Sequence, residues 1–178
     1  VFAWLWFACG DSKGPGDGDP LDTCPSEPQV VLGTGLQPVV PLEEGAELLL
    51  VHGPQGGWHV DVGGLVTIPT LEVAVNATLV LDGRQLAGDQ SPLYTVLAAY
   101  DDATCDGEFY EVRAYVDDEL ATLPGGTDVL LDYICPLGGQ RVTLTVEVSD
   151  IDREVVLTDT IEGVIVLDPY DVSACAGG

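Results

Sequence analysis

Alternation of apolar and polar residues is the feature that most limits what this chain can fold into. In Leu71–Leu81, LEVAVNATLVL, the odd positions Leu71, Val73, Val75, Ala77, Leu79 and Leu81 are apolar, and the even ones include Glu72, Asn76 and Thr78. A period of two sends one set of side chains to a core and the other to water, as in a half-buried strand. VTLTVEV repeats it with Val142, Leu144, Val146 and Val148 inward, and YEVRAYV with Tyr110, Val112, Ala114 and Val116 inward. Turn-forming stretches (EEGA, GPQGG, LDGRQ, DDATCDGE, LPGGTD, PLGGQ, SDIDRE) interrupt these runs at short intervals.

Short strands punctuated in this way predict an all-β fold, a single antiparallel β-sandwich of eight or nine strands. The strands are expected near residues 29–33, 46–52, 57–68, 71–81, 92–100, 108–117, 127–135, 140–149 and 153–167. SPLYTVLAAY also carries helix-start residues, Ser91 and Pro92, with Leu93, Val96, Leu97 and Tyr100 at helical spacing; it is taken as a strand. The size and strand number suit an immunoglobulin-like sandwich. Trp58 precedes both Cys105 and Cys135 instead of lying between them, so a fibronectin- or cadherin-like variant is the expectation.

Charge narrows the partners. Thirty acids face five bases (Lys13, Arg84, Arg113, Arg141, Arg153), a formal charge of −25. Such a surface repels phosphate backbones, so no nucleic-acid partner is expected, and it disfavours anionic lipid faces.

The first nine residues, VFAWLWFAC, form an apolar run ending in Ala8 and Cys9, followed by GDSKGPGDGDPLDTCPSEP, a Gly/Asp/Ser/Pro stretch with little to bury. An apolar run, a small residue, a cysteine and a polar tether resemble a bacterial lipoprotein over about twenty residues. Trp6 and Phe7 depart from that family's leucine and small residue before the cysteine. The resemblance implies that residues 1–8 are the end of a signal peptide, that Cys9 carries lipid, and that residues 9–28 tether the domain. The domain then covers residues 29–170, with a tail at 171–178. It also implies a cell-envelope location, in the outer membrane or at the cell surface or periplasm, with membrane contact only through the lipid anchor.

With Cys9 assigned to lipid, Cys24, Cys105, Cys135 and Cys175 remain, an even number that permits three connectivities. Cys105–Cys135 and Cys24–Cys175 are the expected pairs, as disulfides of an oxidising compartment.

Two constellations suggest metal. LVHGPQGGWHVDV holds both histidines, His52 and His59, around a glycine-rich turn, with Asp61 two residues beyond. Two imidazoles and a carboxylate suit zinc or copper. The alternative is a plain hairpin, which the glycines favour. Asp101, Asp102, Asp106 and Glu108 crowd one loop, Asp150 and Asp152 form a D-x-D turn, and Asp168 and Asp171 follow the last strand. Acidic loops on sandwiches suit calcium, although the twelve-residue calcium loop is not matched and Asp is ordinary in turns. GPQGG lacks the lysine and helix start of a phosphate cradle.

Enzyme signatures are scarce: there is no G-x-S-x-G, and no motif links the five serines to His or Asp. The expectation is therefore a non-catalytic binding or scaffold module of the envelope, without a required cofactor. Its partner would be an envelope protein or an extracellular matrix component. The alternative is a metal-dependent binding protein using calcium, zinc or copper.

Overall fold

In the computed structural model, residues 24–54, 57–88, 92–116, 128–152 and 154–177 are described. The alternating runs form ten strands: β1 (Gln29–Thr34), β2 (Ala46–His52), β3 (Trp58–Thr67), β4 (Glu72–Leu81), β5 (Arg84–Ala87), β6 (Leu93–Val96), β7 (Ala98–Asp101), β8 (Asp106–Tyr115), β9 (Arg141–Asp150) and β10 (Val156–Leu167). One helix, α1 (Pro169–Ala176), ends the described chain. The sheet runs β5-β4-β9-β10-β2-β3-β8-β7, with β1 also on β3 and β6 also on β4, and is not closed.

The alternation translates directly into burial. Val73, Val75, Ala77 and Leu79 of β4 face inward, as do Val142, Leu144, Val146 and Val148 of β9. They join Leu32, Leu50, Val60, Val62 and Ile165 in one core. Each fully buried aliphatic side chain stabilises the fold by roughly 1.5–3 kcal/mol relative to exposure. The sheet curls, so that β4 comes near β8 and β1 near β10, where the Leu32 N–H donates to the Asp159 carboxylate at 2.7 Å.

Several expectations need correction. The sheet is mixed: β10 runs parallel to β2, with Gly163 opposite Ala46 and Leu167 opposite Leu50, so the fold is not purely antiparallel. The strand expected at 127–135 is a π-helical turn, Val129–Ile134, running into a 3-10 turn, Cys135–Leu137. Its start is fixed by a reciprocal cap, in which the Asp128 carboxylate accepts from the Leu131 N–H at 3.1 Å and the Asp132 carboxylate accepts from the Asp128 N–H at 3.1 Å. Satisfying those end donors favours the helical turn over an extended run.

The stretch expected as one strand at 92–100 is two, β6 on β4 and β7 on β8, with buried Leu97 at the crossing. The tail at 171–178 is largely helix α1, capped by Asp168, whose carboxylate accepts from the Tyr170 N–H at 2.8 Å, and opened by Pro169. Proline at the first helical position loses no bond there.

In β8 a bulge breaks the expected alternation. Val62 pairs with Val112 but Gly64 pairs with Phe109, and Glu111 takes a positive φ of 58°. Phe109 is therefore buried beside Val112. Its ring lies over Gly64, where a Cβ would come within 2.6 Å of two ring carbons. Only glycine admits that approach.

Four cysteines form two disulfides, as expected in number, but both expected pairings are wrong. The bonds are Cys24–Cys105 and Cys135–Cys175. The loop between β7 and β8 lies at the end of the sheet where the chain enters, so Cys105 meets Cys24. Cys135, at the opposite end, meets α1. Cys9 and the leader, residues 1–8, lie outside the described residues, as does most of the tether.

Candidate functional site

The two histidines separate. In the β2–β3 hairpin His52 stands opposite Trp58, and Val51 opposite His59. Alternation therefore sends the imidazoles to opposite faces. His52 Nδ1 lies 2.9 Å from Asp171 Oδ1, and the Trp58 indole N–H donates to Asp171 Oδ2 at 2.6 Å. The His52 and Trp58 rings lie 4.6 Å apart. Asp171 is completely buried, so this trio clasps α1 onto the end of the hairpin. Helix α1 is thereby held twice, by the clasp and by Cys135–Cys175. A carboxylate that orients an imidazole is half of a catalytic triad. Among the described residues no hydroxyl or thiol bonds to His52, and the second oxygen of Asp171 is occupied by Trp58.

His59 belongs to a different group. It lies opposite Tyr115, and Asp61 opposite Arg113, so the four side chains make a cross-strand square on the outer face of β3 and β8. His59 Nε2 is 3.4 Å and Arg113 Nε 3.5 Å from Asp61 Oδ1. Arg113 also donates to the Tyr115 hydroxyl at 3.4 Å; that contact first, and Asp61 behind it, pushes the guanidinium further above its ordinary range. His59 and Asp61 are thus brought together as expected, with an arginine beside them instead of a second imidazole.

The acidic loops are locally committed. Asp101 accepts from the Ala103 N–H at 2.9 Å, Asp106 from the Thr67 hydroxyl at 2.6 Å, and Asp150 from the Val155 N–H at 3.3 Å. Glu108 accepts from Gln37 at 3.0 Å, while Asp102 and Asp152 are exposed. These are the local backbone and hydroxyl bonds that make Asp a turn residue. Among the described residues, no three or more of His, Cys, Asp and Glu gather where they would hold a metal ion. Tyr100, beside this loop, donates to the Ile68 carbonyl at 3.1 Å; burial, then Asp102 and Asp101, push its pKa up.

The feature that stands out is a seam between β4/β6 and β8. Its wider part is a cleft of about 550 Å³ lined by Asn76, Ala77, Tyr94, Glu111, Arg113 and Tyr115 among others. A narrower part, about 260 Å³, continues between Thr95, Val96 and Ala98 on one side and Glu108, Phe109 and Tyr110 on the other. Leu93 and Glu111 line both parts. The seam closes where β6 passes into β7 at Leu97. Leu93, Tyr94 and Val96 are 46, 61 and 58% exposed, so β6 offers apolar surface on both faces. Concave apolar clefts with a few convergent polar groups are the usual form of binding sites. Sequence reasoning missed this one because its walls are the edges of strands that do not pair with each other, and they share no motif.

No known protein family matches the chain by its sequence model, and no curated protein matches it. Among solved structures it is similar to the CooA pilin subunit from enterotoxigenic Escherichia coli, at 10% identity over 79% of this chain and 99% of that one, with a TM-score of 0.32. A likeness of that grade carries no argument about fold or activity.

Proposed function

We propose that this chain is a cell-envelope lipoprotein, lipidated at Cys9, whose β-domain is a non-catalytic binding or scaffold module working through the β4/β6–β8 seam. The seam is the observation that carries the reading: a cleft of about 550 Å³ rimmed by Tyr94 and Tyr115 and continuous with the exposed apolar strand β6. Tyrosine is a common anchor at interfaces because it is large, stiff and amphipathic. Two disulfides support an oxidising compartment. We read the curled sheet as an immunoglobulin- or fibronectin-like sandwich, with β4, β9 and β10 packed over β1, β3 and β8; the shared core supports this.

The test uses the full chain in its source cells. Cys9→Ser should move the protein from the membrane to the soluble fraction; an unchanged distribution refutes the anchor. A photo-crosslinking benzoylphenylalanine at Tyr94 should give a discrete adduct that the same group at Leu49, exposed on β2, does not. Equal adducts, or none at Tyr94, refute the seam as the binding surface.

A further inference from the structure

Backbone direction says what the seam is shaped to hold. The Leu97 N–H donates to the Leu71 carbonyl at 2.9 Å, and Thr95 and Leu93 of β6 stand opposite Val73 and Val75 of β4. Backbone groups alternate between the two edges of a strand. Leu93 and Thr95 therefore direct theirs to β4, and those of Tyr94 and Val96 turn toward β8. On the facing wall the Val116 N–H donates to the Trp58 carbonyl at 2.8 Å. By the same alternation Ala114 and Val112 face β3, and the backbone groups of Arg113 and Tyr115 turn toward the seam. Among the described residues, no strand pairs with β6 on its β8 side, or with that edge of β8 beyond Glu108.

Two strand edges thus face each other across a wedge that opens away from Ala98 and Glu108. Eight residues of β8, Glu108 to Tyr115, set its length, at most about 25 Å at the rise of a strand and less across the bulge at Glu111, whose N–H donates to the Gly35 carbonyl at 3.0 Å. Unpaired edges of this kind are templates for an added strand. The charge of the walls selects its chemistry. Glu108 and Glu111 line the seam, Glu108 accepting from the neutral Gln37 side chain, and Arg113 is already met by Asp61. The floor and rim are apolar at Val75, Ala77, Val112 and Leu93. A second copy of a chain with charge −25 is a poor match for such a groove.

We propose that the seam takes up, as an added β-strand, an extended segment of a partner protein in which apolar residues alternate with lysine or arginine; this deepens the binding function above and rests on it. The apolar residues face the core side of the wedge. The cations meet Glu108 and Glu111, and the backbone pairs with Tyr94 and Val96 on one edge and Arg113 and Tyr115 on the other.

The probe is an end-capped octapeptide of alternating valine and lysine, titrated into the full chain by calorimetry. Beside it go a valine–glutamate octapeptide and a valine–lysine octapeptide N-methylated at alternate residues. The lysine peptide should bind saturably, and the other two at least tenfold more weakly. Glu111→Lys should weaken the lysine peptide at least fivefold. Glu154→Lys, which changes the net charge equally but lies on the β9–β10 turn, should leave it within twofold. Binding that survives N-methylation, or that responds equally to both variants, refutes strand addition in favour of diffuse attraction. A full-chain dimer that must dissociate before the peptide binds gives the seam to a second copy and refutes the proposal. If no octapeptide binds while the Tyr94 adduct persists in cells, the added strand is wrong and the binding module stands; if both fail, both readings fall.

Discussion

Removing the Asp171 carboxylate tests whether the clasp secures the far end of the fold. In Asp171→Ala two bonds to a charged acceptor disappear, one at 2.6 Å from Trp58 and one at 2.9 Å from His52. Bonds to charged groups contribute about 1.5–3 kcal/mol each, and a buried donor left unsatisfied costs about 1–3 kcal/mol. The two partners differ in what they can recover. Trp58 is 8% exposed and cannot reach water readily, whereas the His52 side chain is 27% exposed and can. Relief of the carboxylate's own desolvation offsets part of the loss. The net cost should be about 3 kcal/mol, a melting temperature lower by roughly 6–12 °C for a domain of this size. Asp171→Asn keeps an acceptor for the indole and should cost only about 1 kcal/mol. Urea unfolding followed by far-ultraviolet circular dichroism gives the values, and Trp58→Phe closes a double-mutant cycle. Once the indole donor is gone, Asp171→Ala should cost at least about 1 kcal/mol less. A cost below about 0.5 kcal/mol for Asp171→Ala, the size of an ordinary surface change, refutes the clasp. So does strict additivity with Trp58→Phe.

Four further outcomes follow from the structure. Peptide mapping without reductant should recover Cys24 linked to Cys105 and Cys135 linked to Cys175; with sequence separations of 81 and 40, removing either pair should cost about 4–4.5 kcal/mol in the chain-entropy model. Gly64→Ala should destabilise by about 2–3 kcal/mol by driving a methyl into the Phe109 ring, and Phe109→Leu in that background should recover part of it. Tyr100 has a raised pKa in the fold, so folding retains its proton longer than the unfolded chain does. Stability from this group is intact below the ordinary tyrosine value and falls as pH rises above about 10; ultraviolet titration should place Tyr100 above the exposed tyrosines, and Asp102→Asn should lower it. Adding zinc, copper or calcium to metal-free protein should shift the melting temperature by less than about 1 °C, because His52 and His59 occupy opposite faces and most of the loop acids have local partners.

The strands were legible because half-buried residues enforce a period of two, and β4 and β9 follow it except where Ala74 and Ser149, paired with each other, are buried as well. Where the period failed, other physics had won. An apolar stretch such as Val129–Ile134 fits strand or helix equally by hydropathy. Asp128 and Asp132 decided it, and that spacing was readable as a cap. Asp168 followed by Pro169 was equally readable as a helix start. The bulge at Glu111 and the burial of Phe109 had only one local sign, the Gly63–Gly64 pair in the opposite strand. Disulfide partners and the parallel β10–β2 pairing depend on topology, which no local pattern contains. The metal expectation at the hairpin failed to assemble on one point of register. An offset of one residue across the ladder sends His52 and His59 to opposite faces of the sheet.

That same register gives the molecule two distinct ends. Cys24 is bonded to Cys105 where Asp106, Thr67 and Glu72 lie, so the tether enters at that end. The hairpin tip, α1 and Cys135–Cys175 lie at the other end. The seam runs along the side between them and opens toward the distal end, since β6 and β7 close it near the tether. A lipid at Cys9 would hold the closed end of the wedge toward the membrane and the open end toward incoming chains. An added strand would then enter from the distal side, past Arg113 and Tyr115. Shortening the tether between Cys9 and Cys24 should therefore leave octapeptide binding unchanged on membrane-held protein. A loss of binding on shortening would mean that the seam faces the bilayer, and that the entry direction inferred from the wedge is wrong.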